Sequence, residues 1–344
     1  MSRSLRAASL VAGGLIFLMG QAAGALTINV EANGALGHNA AALAAIQRAV
    51  ATWEGHLADP VSLRVAVSLE ALTPVNSIGS ATPVALAADY TAIRDQWVAD
   101  ASLESGGSIT AFLPSAGDLS LSLPDGFGHG GLIEATKANL KAIGFQGLDE
   151  TFGEIDGSIV FNEDFAFDFD NSDGVGPGLV DFEGAALHEL AHVLGFISAV
   201  DLIDFTQAAN EPRLVNPHPF DLMRFAAGDV PANAADFSEA TRNLIPGDEA
   251  AFWFGEGAGF SLSTGLELGD GRQASHWRDD ELSGQLIGMM DPTLNLQQEW
   301  SVTPVDLAVL DAIGWELIVP EPSSGTLLLF GLFSYWRRPR FPAG

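Results

Sequence analysis

The chain has no cysteine in its 344 residues, so no disulfide can staple it and core burial must supply its stability, helped at most by bound ions. Basic residues are scarce: 15 Lys and Arg stand against 44 Asp and Glu, giving a net charge of −29 and a pI near 4.2. That balance argues against nucleic acid or an anionic membrane surface as the main partner. It favours solubility, and a bound divalent cation would gain from such a field, although composition identifies neither a cation nor a substrate. Long apolar runs are lacking too. Residues 7–19 form a run of 13 and residues 326–336 a run of 11, against the roughly 20 needed for a permanent transmembrane helix. Tyrosine is nearly absent, with Tyr90 and Tyr335 the two in the chain.

What is present centres on residues 187–196, Leu-His-Glu-Leu-Ala-His-Val-Leu-Gly-Phe. Residues four apart on an α-helix lie about 40° from eclipsed, so His188 and His192 can aim two imidazoles at one metal with Glu189 beside them. The helix this needs is well supported: Asp181 is a candidate N-cap, the intervening residues are mostly apolar helix formers, and Gly195 suits a left-handed C-terminal position. Two such histidines are also compatible with core groups that are merely hydrogen-bonded. Glu189 shifts the balance, because a carboxylate in a stretch otherwise free of charge from 185 to 200 costs desolvation and needs a chemical reason. His-Glu-x-x-His is the pattern of a zinc hydrolase whose Glu is the general base.

Catalytic zinc usually takes three protein ligands and leaves a fourth position to water. The compact extension of the motif would place the third His three residues after Gly195, where this chain has Ser198. Five other histidines remain: His38, His56, His129, His218 and His276. His129 lies in a Gly-rich stretch, 126–131, and reads as a loop residue; no Lys-Ser/Thr follows, so the stretch is no phosphate loop. His218 sits between two prolines, beside a structured piece at 220–225, and is the second candidate for the third ligand. Glu211 is 19 residues past His192, near the place of a thermolysin-like third ligand, but Pro212 follows it.

Three further blocks carry a resemblance: Ala-Ser-His-Trp at 274–277, Ile-Gly-Met-Met-Asp-Pro at 287–292, and 303–315, which ends in Gly-Trp. In this order they resemble the third-His segment, Met-turn and closing helix of the leishmanolysin-like metzincins, and a group of bacterial metalloproteases with a C-terminal sorting tail. The resemblance covers about residues 26–317. It implies His276 as the third zinc ligand, Met290 as the Met-turn residue, and a zinc-dependent endopeptidase acting on protein or peptide substrates. Leishmanolysin itself is rich in cysteine, so its disulfides cannot be carried over, and without cysteine there is no cysteine-switch latency. Some metzincins place a Tyr two residues after the Met-turn Met; Pro292 stands there, so no Tyr oxyanion donor is expected.

The fold expected is α+β: a metzincin-like catalytic domain with a twisted mixed sheet and active-site helix, plus a mainly loop and helical C-terminal lobe. Residues 26–196 would form the N-terminal lobe, and 197–318 the insertion, third-His segment, Met-turn and closing helix. Alternation at 27–30 and 61–69 around an amphipathic helix at 39–56 predicts a β-α-β opening. Helices are also expected at 90–102 and 132–143, and a strand at 157–162. In metzincins the strand at this last place is the sheet edge that pairs with substrate, which would give Ser158, Ile159, Val160 and Phe161 that role by β-augmentation; an ordinary buried strand is the other reading. The acidic stretch 163–174 could hold Ca²⁺ through Asp168, Asp170 and Asp173, although its spacing misses the EF-hand loop; the other reading is a solvated acidic loop.

Residues 1–25, with Arg3 and Arg6, an apolar run and a small-residue exit, read as a cleavable secretory signal. Residues 319–344 combine Pro-Glu-Pro, an apolar run and a basic end, and resemble the PEP-CTERM sorting signal. That resemblance implies processing by an exosortase, transient membrane insertion by the tail, and delivery to the cell surface or extracellular matrix of a Gram-negative-type bacterium. Such tails ride on many surface proteins, so an inactive metzincin-fold matrix or adhesion protein is the alternative function. The intact Glu189 favours the enzyme.

Overall fold

The structure is a computed structural model and describes residues 25–73, 76–102, 109–255, 257 and 259–318. The expected sorting tail, and the expected secretory signal but for its last residue, lie outside the described residues.

The opening is β-α-β as the alternation predicts. Strand β1 (Thr27–Gly34) leads through helix α1 (Ala40–Glu54) to β2 (Ser62–Glu70), which pairs parallel to β1 from Thr27↔Ser62 to Gly34↔Leu69. Asn39 starts α1 by accepting the Ala42 N–H at 3.1 Å. The helix buries one stripe, Ala42, Ala45, Ile46, Ala49, Val50 and Trp53, at the spacing of an amphipathic helix. In a chain without disulfides such burial is the main source of stability, about 1.5–3 kcal/mol for each large apolar side chain.

Next come β3 (Gly79–Pro83), β4 (Ala85–Asp89) and α2 (Tyr90–Ala101). The predicted helix at 132–143 divides: residues Leu132–Thr136 are a strand, β5, antiparallel to β4, and only Lys137–Ala142 are helical, α3. The reason is local. Thr136 turns its hydroxyl to the Asn139 N–H and caps α3, so the helix starts there, while the apolar positions before it alternate into the core.

Strand β6 (Gly157–Asn162) completes the main sheet, in the order β1-β2-β6-β3. It runs parallel to β2 and antiparallel to β3. The sheet is therefore mixed, and the expectation that Ser158, Ile159, Val160 and Phe161 form its edge is corrected. Both sides of β6 are occupied, Ile159 lying opposite Val67 on one side and Ala81 on the other. The outer strand is β3, whose Pro83 fits a position without a ladder donor.

Helix α4 (Phe182–Leu194) packs on α1, where Trp53 Nε1 donates to the Leu187 carbonyl at 3.1 Å and Arg48 pairs with Glu183 at 2.6 Å. Beyond α5 (Val200–Ala208) the chain builds a three-stranded antiparallel sheet, β7 (Arg224–Ala226), β8 (Ala250–Phe252) and β9 (Phe260–Leu262). The C-terminal half is thus richer in strand than the expected loop and helical lobe. It shares one apolar core with the first half: Phe196 lies 4.8 Å from Phe220 and 5.3 Å from Trp277, centroid to centroid. The last helix, α6 (Pro304–Ala312), is opened by a capping box between Thr303 and Asp306, and Trp315 beyond it donates to the Leu194 carbonyl at 2.8 Å. The described chain is α+β, with several small sheets.

Candidate functional site

Helix α4 sets His188, Glu189 and His192 on its buried face and ends as the sequence predicts. Gly195 has φ +124°, and its N–H reaches the Ala191 and His192 carbonyls. A side chain there would also meet Ile313, whose Cδ1 lies 2.9 Å from the position a Cβ would take. Asp181 does not cap the helix as expected. Its carboxylate accepts the Trp300 N–H at 3.0 Å and Asn171 Nδ2 at 3.0 Å, so it ties a remote segment to the helix start instead.

His276, remote in sequence, joins the pair. The three imidazoles lie with centroids 4.9 to 5.0 Å apart, and one ring nitrogen of each falls within 4.8 Å of the others. Each Nδ1 is engaged by a carbonyl: His188 with Met289 at 3.1 Å, His192 with Phe196 at 2.7 Å and His276 with Gln273 at 3.1 Å. A carbonyl only accepts, so these bonds assign the proton to Nδ1 and leave every Nε2 as a lone pair. His188 Nε2 and His276 Nε2 are 3.0 Å apart. Two bare lone pairs at that distance repel, and a cation between them removes the repulsion. Burial, more than any neighbour, pushes His188 down to about 3 and His192 to about 4, and holds His276 well below its ordinary value. All three are neutral at neutral pH, the form a metal ligand requires. The donor set fits zinc.

Glu189 is 8 % exposed, and burial raises its carboxyl to about 8 against the opposing pull of the Ala81 backbone. It borders a cleft of about 750 Å³. The lining of the cleft includes Gly79, Ser80, Ala81 and Pro83 of the outer strand β3 together with Leu266, Arg272 and Gln273. Trp300 packs near His188 at 5.3 Å between centroids.

Three carboxylates, two buried and that of Asp201 partly so, bring the third His back, and the sequence reading missed the role of each. Asp201, at the start of α5, accepts the Ala274 N–H, the Ser275 N–H and the Ser275 hydroxyl, directly before His276. Ser198 donates its N–H to Ser275 Oγ at 2.8 Å and its hydroxyl to Asp221 at 2.6 Å. Asp221 also accepts the Ala199 and His218 N–H groups. Asp306 of α6 accepts the Met289 N–H and Trp277 Nε1, both at 2.8 Å, and so holds the turn whose carbonyl orients His188. Ser198, at the position the compact motif gives to a third His, is part of the frame that delivers His276. The local signals were the Thr303-x-x-Asp306 and His218-x-x-Asp221 capping patterns; most other partners lie more than 20 residues away.

The remaining candidates lie elsewhere. Met290 is fully buried on the 287–292 turn, and its carbonyl accepts the Trp277 N–H at 2.9 Å. His218 Nδ1 meets the Glu134 carbonyl at 2.6 Å, His129 Nε2 meets the Leu132 carbonyl at 2.9 Å, and Glu211 is exposed. Asp168, Asp170 and Asp173 do not converge. Asp168 accepts the Asp170 and Gly176 N–H groups and Asp170 accepts that of Ser172, so two of these carboxylates serve the turns of their own loop. Among the described residues the other grouping able to hold a cation is Asp279, Asp280 and Asp291, where Asp279 already pairs with Arg272 and Asp291 accepts the Asp280 and Thr293 N–H groups. No described helix is long and apolar enough to cross a membrane.

No protein-family model, no curated protein and no solved structure matches the chain significantly.

Proposed function

We propose that the chain is a secreted zinc-dependent endopeptidase with a metzincin-type catalytic domain, in which His188, His192 and His276 hold the metal and Glu189 is the general base. The observation that carries this reading is the convergence of three Nε2 lone pairs, each fixed by a carbonyl at Nδ1, beside a buried carboxylate on a cleft wall. When bound, zinc supplies a Lewis acid that lowers the pKa of a water ligand to about 7 and polarises the scissile carbonyl.

The protein's own share follows from the arrangement. A cation held by the triad would oppose the burial that raises Glu189 to about 8 and keep it ionised, and its carboxylate would then accept the proton of the attacking water and return it to the nitrogen of the leaving amine. The free side of β3 faces the cleft and offers backbone donors and acceptors to an extended peptide, the role the sequence reading gave to β6. Apolar lining from Ile78, Phe165, Leu266 and Trp300 excludes water around the reacting bond. Met290 shapes the floor of the turn and ligates nothing. Secretion, exosortase processing and surface display rest on residues 1–25 and 319–344 and belong to the same reading.

The test is metal analysis and casein or peptide cleavage with the full chain. One zinc per chain and cleavage abolished by a chelator are expected. Glu189→Gln, nearly isosteric but unable to take the proton, keeps the zinc and loses hydrolysis by about 10³-fold or more. Zinc-free protein that cleaves nothing overturns the proposal and leaves the inactive surface protein as the reading, whereas wild-type turnover in that variant overturns the role given to Glu189.

A further inference from the structure

Glycine is a poor strand residue, because it adds backbone entropy to the unfolded chain and has no side chain to pack. Gly79 nevertheless lies in β3, opposite Phe161 of β6. Its backbone does not require glycine, since its φ is not among the positive values. What requires it is space. A Cβ at Gly79 would stand 2.7 Å from Glu189 Oε1, 3.0 Å from Cγ and 3.1 Å from Cδ. No other atom lies among its three nearest.

Gly157 of β6 offers a contrast within the same sheet. A Cβ there would meet the two γ-methyls of Val193 at 2.9 and 3.0 Å and the Pro83 Cα at 3.4 Å, so that glycine serves apolar helix-to-sheet packing. Gly79 serves one carboxylate. The atom it would strike first is the far end of a flexible side chain, which can swing aside without disturbing the sheet.

We infer that Gly79 is a positioning residue for Glu189: the bare Cα in β3 is the wall against which the carboxylate rests, and it sets how far that carboxylate stands from the centre of the His188, His192 and His276 triad. This rests on the proposed role of Glu189. A methyl at position 79 pushes the carboxylate off its place by a fraction of an ångström to about 1 Å, a scale on which proton transfer is lost while folding and metal ligation are not.

The experiment is Gly79→Ala in the full chain, read by zinc content, thermal midpoint, kcat and KM. The expected result is full zinc, an unchanged or higher midpoint, kcat down about 10- to 100-fold and KM within about threefold. Gly157→Ala, the packing control, lowers the midpoint. Glu189→Asp shortens the base by one methylene and lowers kcat alone; in that background Gly79→Ala adds little further loss, because the shorter acid no longer meets the methyl. Wild-type kcat in Gly79→Ala, multiplicative losses in the double variant, or loss in step with zinc or midpoint each overturn the inference. If the wild-type chain shows no zinc-dependent cleavage, the proposed function fails first. The inference is then read from crystal structures of the wild-type and Gly79→Ala proteins, where a Glu189 carboxylate that has not moved refutes it.

Discussion

The two halves of the histidine triad are placed by different physics. His188 and His192 need only the pitch of α4 and the end of that helix at Gly195, so their spacing is written into consecutive residues. His276 lies 84 residues after His192 and is delivered by carboxylates that collect backbone N–H groups from remote segments. In a chain with no cysteine, these aspartates do the cross-linking that a disulfide would do elsewhere. They differ in kind from Asp168 and Asp170 of the 163–174 stretch, which serve local turns.

The largest effect expected from this contrast is at the remote ligand. His276→Ala abolishes cleavage and weakens zinc binding by orders of magnitude, whereas His218→Ala, whose ring is occupied with the Glu134 carbonyl, retains both. Zinc competition with a chelator and a peptide assay check the pair, and loss of zinc in the His218 variant would reverse the assignment.

A smaller effect belongs to the frame. Asp201→Asn keeps one acceptor but turns an NH₂ group toward either the Ala274 donor or the Ser275 donors, so the His276 segment loosens. Zinc affinity should fall about 10- to 100-fold, the range of outer-shell changes, with His188 and His192 still in place. Wild-type affinity in that variant would mean that the remote half, like the helical half, is held by its own segment.

How much of this was legible follows the same division. Motif, helix end and β-α-β opening were readable, because each rests on periodicity or a terminal glycine within about 15 residues. Residues 132–143 were read as one helix because Leu-Ile-Glu-Ala-Thr runs into Lys-Ala-Asn-Leu-Lys-Ala without a break in apolar content, and the start set by the Thr136 hydroxyl is a tertiary choice between strand and helix. The outer strand was assigned to β6 and not to β3 because Gly-Ser-Ala-Thr-Pro carries no strand propensity; it is a strand because it pairs with β6. The role of Asp201 left no local pattern, since its partners belong to a segment more than 70 residues away, and Asp221 showed only its capping of the His218 N–H, not its reach to Ser198 and Ala199.

The smallest effect concerns stability at the closure of the chain, away from the cleft. Asp59 is buried and accepts the Glu316 N–H at 2.9 Å. Burial, with the nearby Glu316 and Asp100 charges, raises its carboxyl to about 8. A free Asp releases its proton near 4, so across the window from about 4 to 8 the folded chain holds a proton that the unfolded chain has lost. The stability this provides is complete below about pH 4 and is lost as pH rises through 8. Asp59→Asn, which mimics the protonated acid, should match the wild type at or below about pH 4 and exceed its thermal midpoint by several degrees near pH 9. Equal midpoints at both pH values would show that Asp59 is ionised in the fold.

The central claim is that one metal joins the two halves. Zinc K-edge absorption on the zinc-loaded full chain tests it directly. The account predicts three imidazole nitrogens at about 2.0–2.1 Å and one further light ligand, with one imidazole lost in His276→Ala. Two imidazoles in the wild type, or an all-oxygen shell such as Asp279, Asp280 and Asp291 would provide, would contradict it.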